Sequence, residues 1–362
     1  MSAADLAWLR LARSRNVGPQ TFARLLSRFG DAEAALEALP GLATRAGDRA
    51  YQTCSERQGR DEMERAEAIG ARMLKLGRAG YPPLLAEIPD PPAFLWAVGD
   101  LDLLERPSIA VIGARNASAH GRRMARILAE GFGEAGLVVV SGFARGIDAA
   151  AHEAALPTGT VACMAGGVDV IYPEENHALS ERMRSEGGLF LSEAPPGMQP
   201  LARHFPRRNR IVSGLARGVV LVEAAARSGS LITARMALEQ GREVMAVPGS
   251  PLDARAEGCN GLIRQGAALI RNVEDALEAL EGPHRPAAPA FEPSPAPAEE
   301  EPAEGLAGRA LELLGPAATD ADGLARELGV SAAALSAALL ELELAGRIER
   351  LSGNMVARLA EP

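Results

Sequence analysis

A chain of 362 residues exceeds one ordinary domain and can bury a sizeable core, so two or three domains are expected. Hydrophobic residues at 47% and charged residues at 23% describe a globular protein, and no apolar run approaches the ~18 residues of a membrane span. The net charge of −9 is unevenly spread: residues 282–362 hold 6 basic and 13 acidic side chains, while the rest is nearly neutral and leaves room for a local basic patch.

The chain opens MSAADLAWLRLARSRN, without a secretory apolar region or a small-residue cleavage site. Cys54, Cys163 and Cys259 are odd in number, far apart and in no metal spacing. A cytoplasmic protein without a metal centre is expected. The first hundred residues read as short helices, with a domain boundary expected after residue 75. Within them, NVGPQTFARLLSRFG sets a Gly-Pro turn ahead of Leu25, Leu26 and Phe29 at helical spacing. This reads as a helix-hairpin-helix or SAM-like unit, or as a small helical packing domain with no ligand.

Residues 76–281 form the second expected domain. Short apolar runs at 108–113, 137–142, 160–166, 189–194, 218–224 and 243–249 alternate with helical patterns that close on glycine. Runs without polar alternation suit strands buried on both faces. The fold class expected is α/β: a Rossmann-like, doubly wound, mostly parallel sheet whose ligands lie at the strand carboxyl ends.

The loops at those ends carry the chemistry. The first, IGARNASAHG, is not the dinucleotide fingerprint, because Arg115 rather than glycine follows Gly113 at the second place. It offers Arg115, which can clasp a phosphate bidentately, and the Ser118 hydroxyl. In the second, SGFARGIDAAAH, Ser141 and Gly142 permit close backbone approach, and Arg145 and Gly146 precede a helix start suited to an anion. Asp148 reads as a first-turn stabiliser, and His152 as a packing or hydrogen-bonding histidine. The third, AGGVDVIYPEENHAL, brings Tyr172 and first-turn carboxylates, with no matching ligands to make His177 a metal site.

The fourth loop, HFPRRNRIVSG, packs Arg207, Arg208 and Arg210 around Asn209. With a helix starting at Pro206 the arginines occupy its first turn, against the dipole, and a bound anion would relieve that conflict. The cluster is expected to form one wall of a groove with Arg115 and Arg145. The fifth, EAAARSGSLITA, gives Ser228, Gly229, Ser230 and Thr233 at a glycine-and-hydroxyl helix entry. The sixth adds Asn260 and Gly261. Five phosphate-compatible loops exceed the needs of a mononucleotide. None offers an activated nucleophile or an evident acid–base pair, so no catalytic residue and no cofactor are assigned.

Residues 283–304 hold seven prolines and five glutamates, the composition of an extended tether, expected over 282–305. Residues 306–362 then suggest a winged helix: helices joined by LGVS, a third helix over 331–346, and two short strands around Ser352-Gly353. That third helix carries Glu341 and Glu343 and no basic residue, so it is poorly equipped for phosphate contacts. A protein-contact or regulatory role fits it at least as well as DNA binding.

The six loop motifs, in order and spacing, resemble those of the DprA/Smf family (DNA processing protein A) over about 175 residues. Ala114, Ser118 and His120 depart mildly from the family's first motif. The resemblance implies a single-stranded-DNA-binding protein, a homodimer, that protects incoming DNA and loads RecA during natural transformation and recombination. Carried over residue by residue, the strand-binding set would be Arg115 and Ser118, then Ser141, Gly142 and Arg145, then Arg207, Arg208, Asn209 and Arg210, then Ser228, Gly229, Ser230 and Thr233. Tyr172 and Phe205 are the aromatics placed to stack on bases. The competing readings are a small-nucleotide sensor and a nucleoside phosphohydrolase of a related fold. The latter's PGGxGTxxE motif corresponds here to ARSGSLITARMA, which lacks the acid.

Overall fold

The computed structural model describes residues 2–45, 48–281, 305–351 and 354–359. These fall into two compact units, one drawn from Met1–Met63 with Ala287–Pro362, the other from Glu64–Pro286.

Four helices begin the chain: α1 (Ala3–Arg13), α2 (Pro19–Phe29), α3 (Ala32–Arg45) and α4 (Glu56–Ala68). Ser2 and Asp5 form a reciprocal capping box at α1, and Pro19, whose fixed φ suits a first helical turn, opens α2. Trp8 and Phe22 meet at 5.1 Å between ring centroids, and Leu9, Leu11 and Leu25 are fully buried with them.

The second unit is built on a nine-stranded sheet. Its elements are β1 (Arg72–Lys75), α5 (Pro83–Ala86), β2 (Phe94–Gly99), β3 (Ser108–Ile112), α6 (Ala119–Glu134), β4 (Val138–Ser141), α7 (Ile147–Ala155) and β5 (Thr160–Cys163). They continue with α8 (His177–Ser185), β6 (Leu189–Ser192), α9 (His204–Leu215), β7 (Gly218–Leu221), α10 (Ser230–Glu239), β8 (Glu243–Ala246), α11 (Glu257–Arg264), β9 (Ala268–Leu269) and α12 (Val273–Glu281). The strand order is β1-β2-β6-β5-β4-β3-β7-β8-β9. β1, β2 and β6 pair antiparallel, and every pairing from β6 to β9 is parallel. The chain winds outward from β3 through β4, β5 and β6, then crosses to β7 on the other side of β3. That reversal is a topological switch point.

Alternate residues of each strand feed separate cores. Ile109 and Val111 pack with Leu128 and Phe132 of α6, while Ala110 and Ile112 pack on the opposite face with Ile211, Val212 and Leu215 of α9. Burial of both faces explains the unalternating runs.

Two expectations are corrected. The first hundred residues are not all helical: beyond Ala68 only the short α5 is, because Arg72–Lys75 and Phe94–Gly99 are the antiparallel edge of the sheet. Phe94, Leu95, Trp96 and Ala97 are all buried, and such a short continuous apolar run has no period that separates strand from helix. The helix of the arginine cluster starts at His204 rather than Pro206, so only Arg207 lies in its first turn.

After the tether, whose residues 282–304 lie outside the described ones, come α13 (Leu306–Leu313), β10 (Thr319–Asp320), α14 (Ala321–Leu328), α15 (Ala332–Leu344), β11 (Ile348–Leu351) and β12 (Met355–Arg358). The strands run β10-β12-β11, all antiparallel. Gly329 in the left-handed region ends α14, and the Ser331 hydroxyl caps α15. This is a winged helix; the Ser352-Gly353 turn lies outside the described residues. Among the described residues no single helix is long and apolar enough to cross a membrane.

Candidate functional site

A cleft of about 620 Å³ opens at the switch point, beyond the carboxyl ends of β3, β4 and β7. The β3 loop contributes Arg115 and Asn116, the β4 loop Gly142 and Ala144, and the start of α9 Phe205 and Asn209. The far side is Arg227, Ser228, Gly229, Ser230 and Thr233, with Arg255 from the loop before α11.

Three side chains form a contiguous rim. The Arg115 guanidinium lies 4.8 Å from the Phe205 ring centroid, and Tyr172 packs on Phe205 at 5.8 Å between centroids. Tyr172 keeps 50% of its surface exposed. An arginine on an aromatic face leaves its planar edge available to an anion. Across the cleft Ser230 opens α10, and the first turn is tied down locally, the Leu231 and Ile232 N–H groups donating to the Ser228 and Gly229 carbonyls at 3.1 Å each. Ser228 accepts from the Ser230 N–H at 3.3 Å and shares a hydroxyl–hydroxyl bond with it at 2.7 Å, which fixes this entry.

Beneath the floor lie two buried groups of opposite charge, each held by the backbone. Arg208 is 6% exposed and donates to the Cys163 carbonyl at 2.8 Å. Asp148, equally buried, accepts from the Gly142 and Ala144 N–H groups at 3.2 Å each. Burial pushes the Asp148 carboxyl upward, and the Arg208 charge beside it works the other way. A Cβ on Gly142 would strike the Arg208 guanidinium, so the β4 turn requires glycine there. Gly146, at φ +86, begins α7 with its Cα against the Ala114 carbonyl, which leaves no room for a side chain. His152 behind the loop is fully buried, bonds Thr160 Oγ1 through Nδ1 at 2.7 Å, and is pushed down to about 3 by burial. The Thr160 hydroxyl proton goes to the Val139 carbonyl, so Nδ1 carries the hydrogen and the ring is neutral.

Of the sixteen residues singled out from sequence, the cleft gathers Arg115, Gly142, Phe205, Arg208, Asn209, Ser228, Gly229, Ser230 and Thr233. Tyr172 reaches its rim through Phe205. The others are engaged elsewhere. Ser118 caps α6 and bonds Glu223 through both its N–H and its hydroxyl. Ser141 is fully buried and donates to the Val111 carbonyl at 2.6 Å. Arg145 faces Glu175 at 3.8 Å, and Gly146 serves the α7 turn.

The expected wall of three arginines is corrected most. Arg207 and Arg210 both pair with Glu193, at 3.3 and 2.8 Å, and Arg210 reaches Asp90 at 3.1 Å, away from the cleft. Asp90 and Glu193 supply the anions that the helix start was expected to seek from outside. Arg227 and Arg255 were missed. Arg227 directly precedes the quoted Ser228 and was readable from its place; Arg255, paired with Asp253 at 2.9 Å, carried no local signal.

A doubly wound sheet with a polar cleft at its switch point, preceded by a helical domain and followed by a winged helix, defines a three-part Rossmann-like protein. Comparison with known proteins sharpens the class. The family model described as DNA recombination-mediator protein A matches residues 72–281, a DprA-like N-terminal HHH domain matches 2–65, and a DprA winged helix domain matches 293–354. The chain belongs to the DprA/Smf family.

It is 48% identical over 203 residues to the DNA processing protein DprA of Streptococcus pneumoniae, covering 56% of this chain and 71% of that one. It is 41% identical over 280 residues to the protein Smf of Escherichia coli, covering 76% and 74%. The X-ray structure of the Streptococcus pneumoniae protein superposes with a TM-score of 0.65 at 36% identity, over 76% of this chain and 98% of that one. DNA processing protein A from Helicobacter pylori, whose structure is described for its unique single-stranded DNA binding mode, superposes with a TM-score of 0.54 at 31% identity, over 59% and 96%.

Proposed function

We propose that this chain binds single-stranded DNA in the switch-point cleft and performs no bond-breaking step there. The observation that carries the reading is the cleft's pairing of an exposed arginine–aromatic cluster, Arg115–Phe205–Tyr172, with two further arginines, Arg227 and Arg255, beside the serine-rich entry to α10. Single strands are held by a cationic track for phosphates and aromatic faces for bases, and both are present on opposite sides of one opening. The solved Helicobacter pylori relative, described as binding single-stranded DNA, supports the same reading. The carboxylate nearest the floor, Asp148, is buried and accepts from two backbone N–H groups, which ties it to the β4 turn rather than to a bound nucleotide.

Titration of the purified chain with labelled single strand, duplex and mononucleotide tests this. Single strands bind in preference to duplex, and affinity falls as salt rises. Preferential binding of a mononucleotide without salt dependence would favour the sensor reading, and free base released from a nucleotide would favour the phosphohydrolase. Two finer steps rest on the family resemblance: action as a homodimer, and loading of RecA onto the bound strand during transformation in the cytoplasm. Sedimentation of the free chain and RecA filament assembly on single strands, with and without it, test them.

A further inference from the structure

The acidic third helix of the winged helix is left unexplained by the cleft. In a DNA-reading winged helix this element buries one face in its own core and offers the other to the major groove. Here the C-terminal half of α15 has no such free face. Leu335, Ala338, Leu339 and Leu342 belong to the winged-helix core with Leu324 and Ile348. Leu340 and Leu344, four residues apart and so on a common face, lie outside that core yet are only 3% and 0% exposed. Glu341 beside them is 6% exposed.

The polar contacts of this second face come from the first helices of the chain and from β11. Arg45, in the last turn of α3, reaches Glu341 at 3.2 Å. Arg24 of α2 faces Glu343 at 3.9 Å, and Arg350 of β11 faces the same carboxylate at 3.4 Å. Asn16, in the α1–α2 turn, donates to the Leu344 carbonyl at 2.8 Å, satisfying an end group that the helix itself leaves unpaired. Burial and the neighbouring Arg24 charge bring Arg350 down to about 10, so the Glu343 carboxylate sits between two competing cations.

We infer that α15 is a protein-docking face whose occupant is the N-terminal helical domain of the same chain, and that this contact withdraws the winged helix from duplex DNA. The acids that make α15 unsuited to phosphate are the complement of the arginines on α2 and α3. Leu340 and Leu344 supply the apolar hold, while the ion pairs, partly open to solvent, fix register and partner choice more than strength. Covalent linkage in one chain makes the encounter intramolecular and favours closure even where the isolated affinity is modest.

The test uses the full chain with a site-specific protease sequence inserted within the proline-rich stretch 283–304. After cleavage the winged-helix fragment is expected to co-elute with the rest of the protein in gel filtration. Arg24→Glu with Arg45→Glu sets like charges against Glu343 and Glu341 and is expected to weaken retention at least about tenfold, moving the fragment to its own elution position. Arg45→Glu alone serves where the double variant does not fold, since Arg45 is 61% exposed. A wild-type fragment that elutes separately overturns the inference, as does one that the charge reversals leave fully retained. Protection of the α15 amides from hydrogen exchange by added duplex would overturn it as well.

Discussion

Arg115 and Arg208 share the cleft and are opposite kinds of arginine. Arg115 is exposed and stacked on Phe205, so Arg115→Ala should leave the unfolding free energy within about 0.5 kcal/mol of the parent. Its effect belongs to binding, and it should weaken all single strands alike, because phosphate contacts carry no sequence. Arg208 is a buried cation opposing a buried carboxylate. Arg208→Ala removes the buried bond to the Cys163 carbonyl and the cationic charge near Asp148, and should cost about 1.5–3 kcal/mol, read as a lowered denaturant midpoint at unchanged slope. A loss of affinity in that variant therefore needs its stability measured beside it. His152 gives a pH signature of its own. Its folded value is depressed to about 3 against an ordinary 6.5, so the unfolded chain takes up a proton that the folded one refuses. The contribution is fully present above pH 6.5 and is lost as pH falls towards 3, at up to about 1.4 kcal/mol per pH unit. Unfolding midpoints from pH 7.5 to 4.5 should slope less in His152→Gln than in the parent; parallel slopes would assign the acid sensitivity elsewhere.

At the scale of elements, the six strand runs of residues 108–249 and the helices closing on glycine were legible, because buried parallel strands and amphipathic helices leave distinct periods. The loops at their ends were legible for the same reason, since fixing the strands fixes which loops converge. What could not be read were pairings across the chain. Ser118 finds Glu223 at 105 residues' separation, and Arg210 finds Glu193 and Asp90 from two other loops. Each pairing removes a residue from the cleft that its local sequence equipped for phosphate. The short edge strands Arg72–Lys75 and Ala268–Leu269 were missed because so few residues carry no period. The start of α9 two residues early has a consequence for the site: it puts Phe205 in the first turn, under Arg115. Phe205→Ala should remove the platform and cost about 1–3 kcal/mol of single-strand affinity, comparable to one lost stacking base. Fluorescence titration checks this, and an unchanged affinity would return Phe205 to a packing role.

For the whole molecule, the net charge of −9 misrepresents the binding surface. Residues 282–362 hold 13 of the acids against 6 basic side chains, and two of those acids, Glu341 and Glu343, are paired with arginines of the first helices. The cleft itself presents Arg115, Arg227 and Arg255. The most direct measurement is the salt dependence of single-strand affinity for the parent and for Arg115→Ala. Contact with two or three phosphates predicts a log–log slope of about −1.4 to −2.1 for the parent, and loss of one contact makes it shallower by about 0.7 in the variant. A parent slope near zero, or a variant slope equal to the parent's, would contradict a strand held by its phosphates in this cleft.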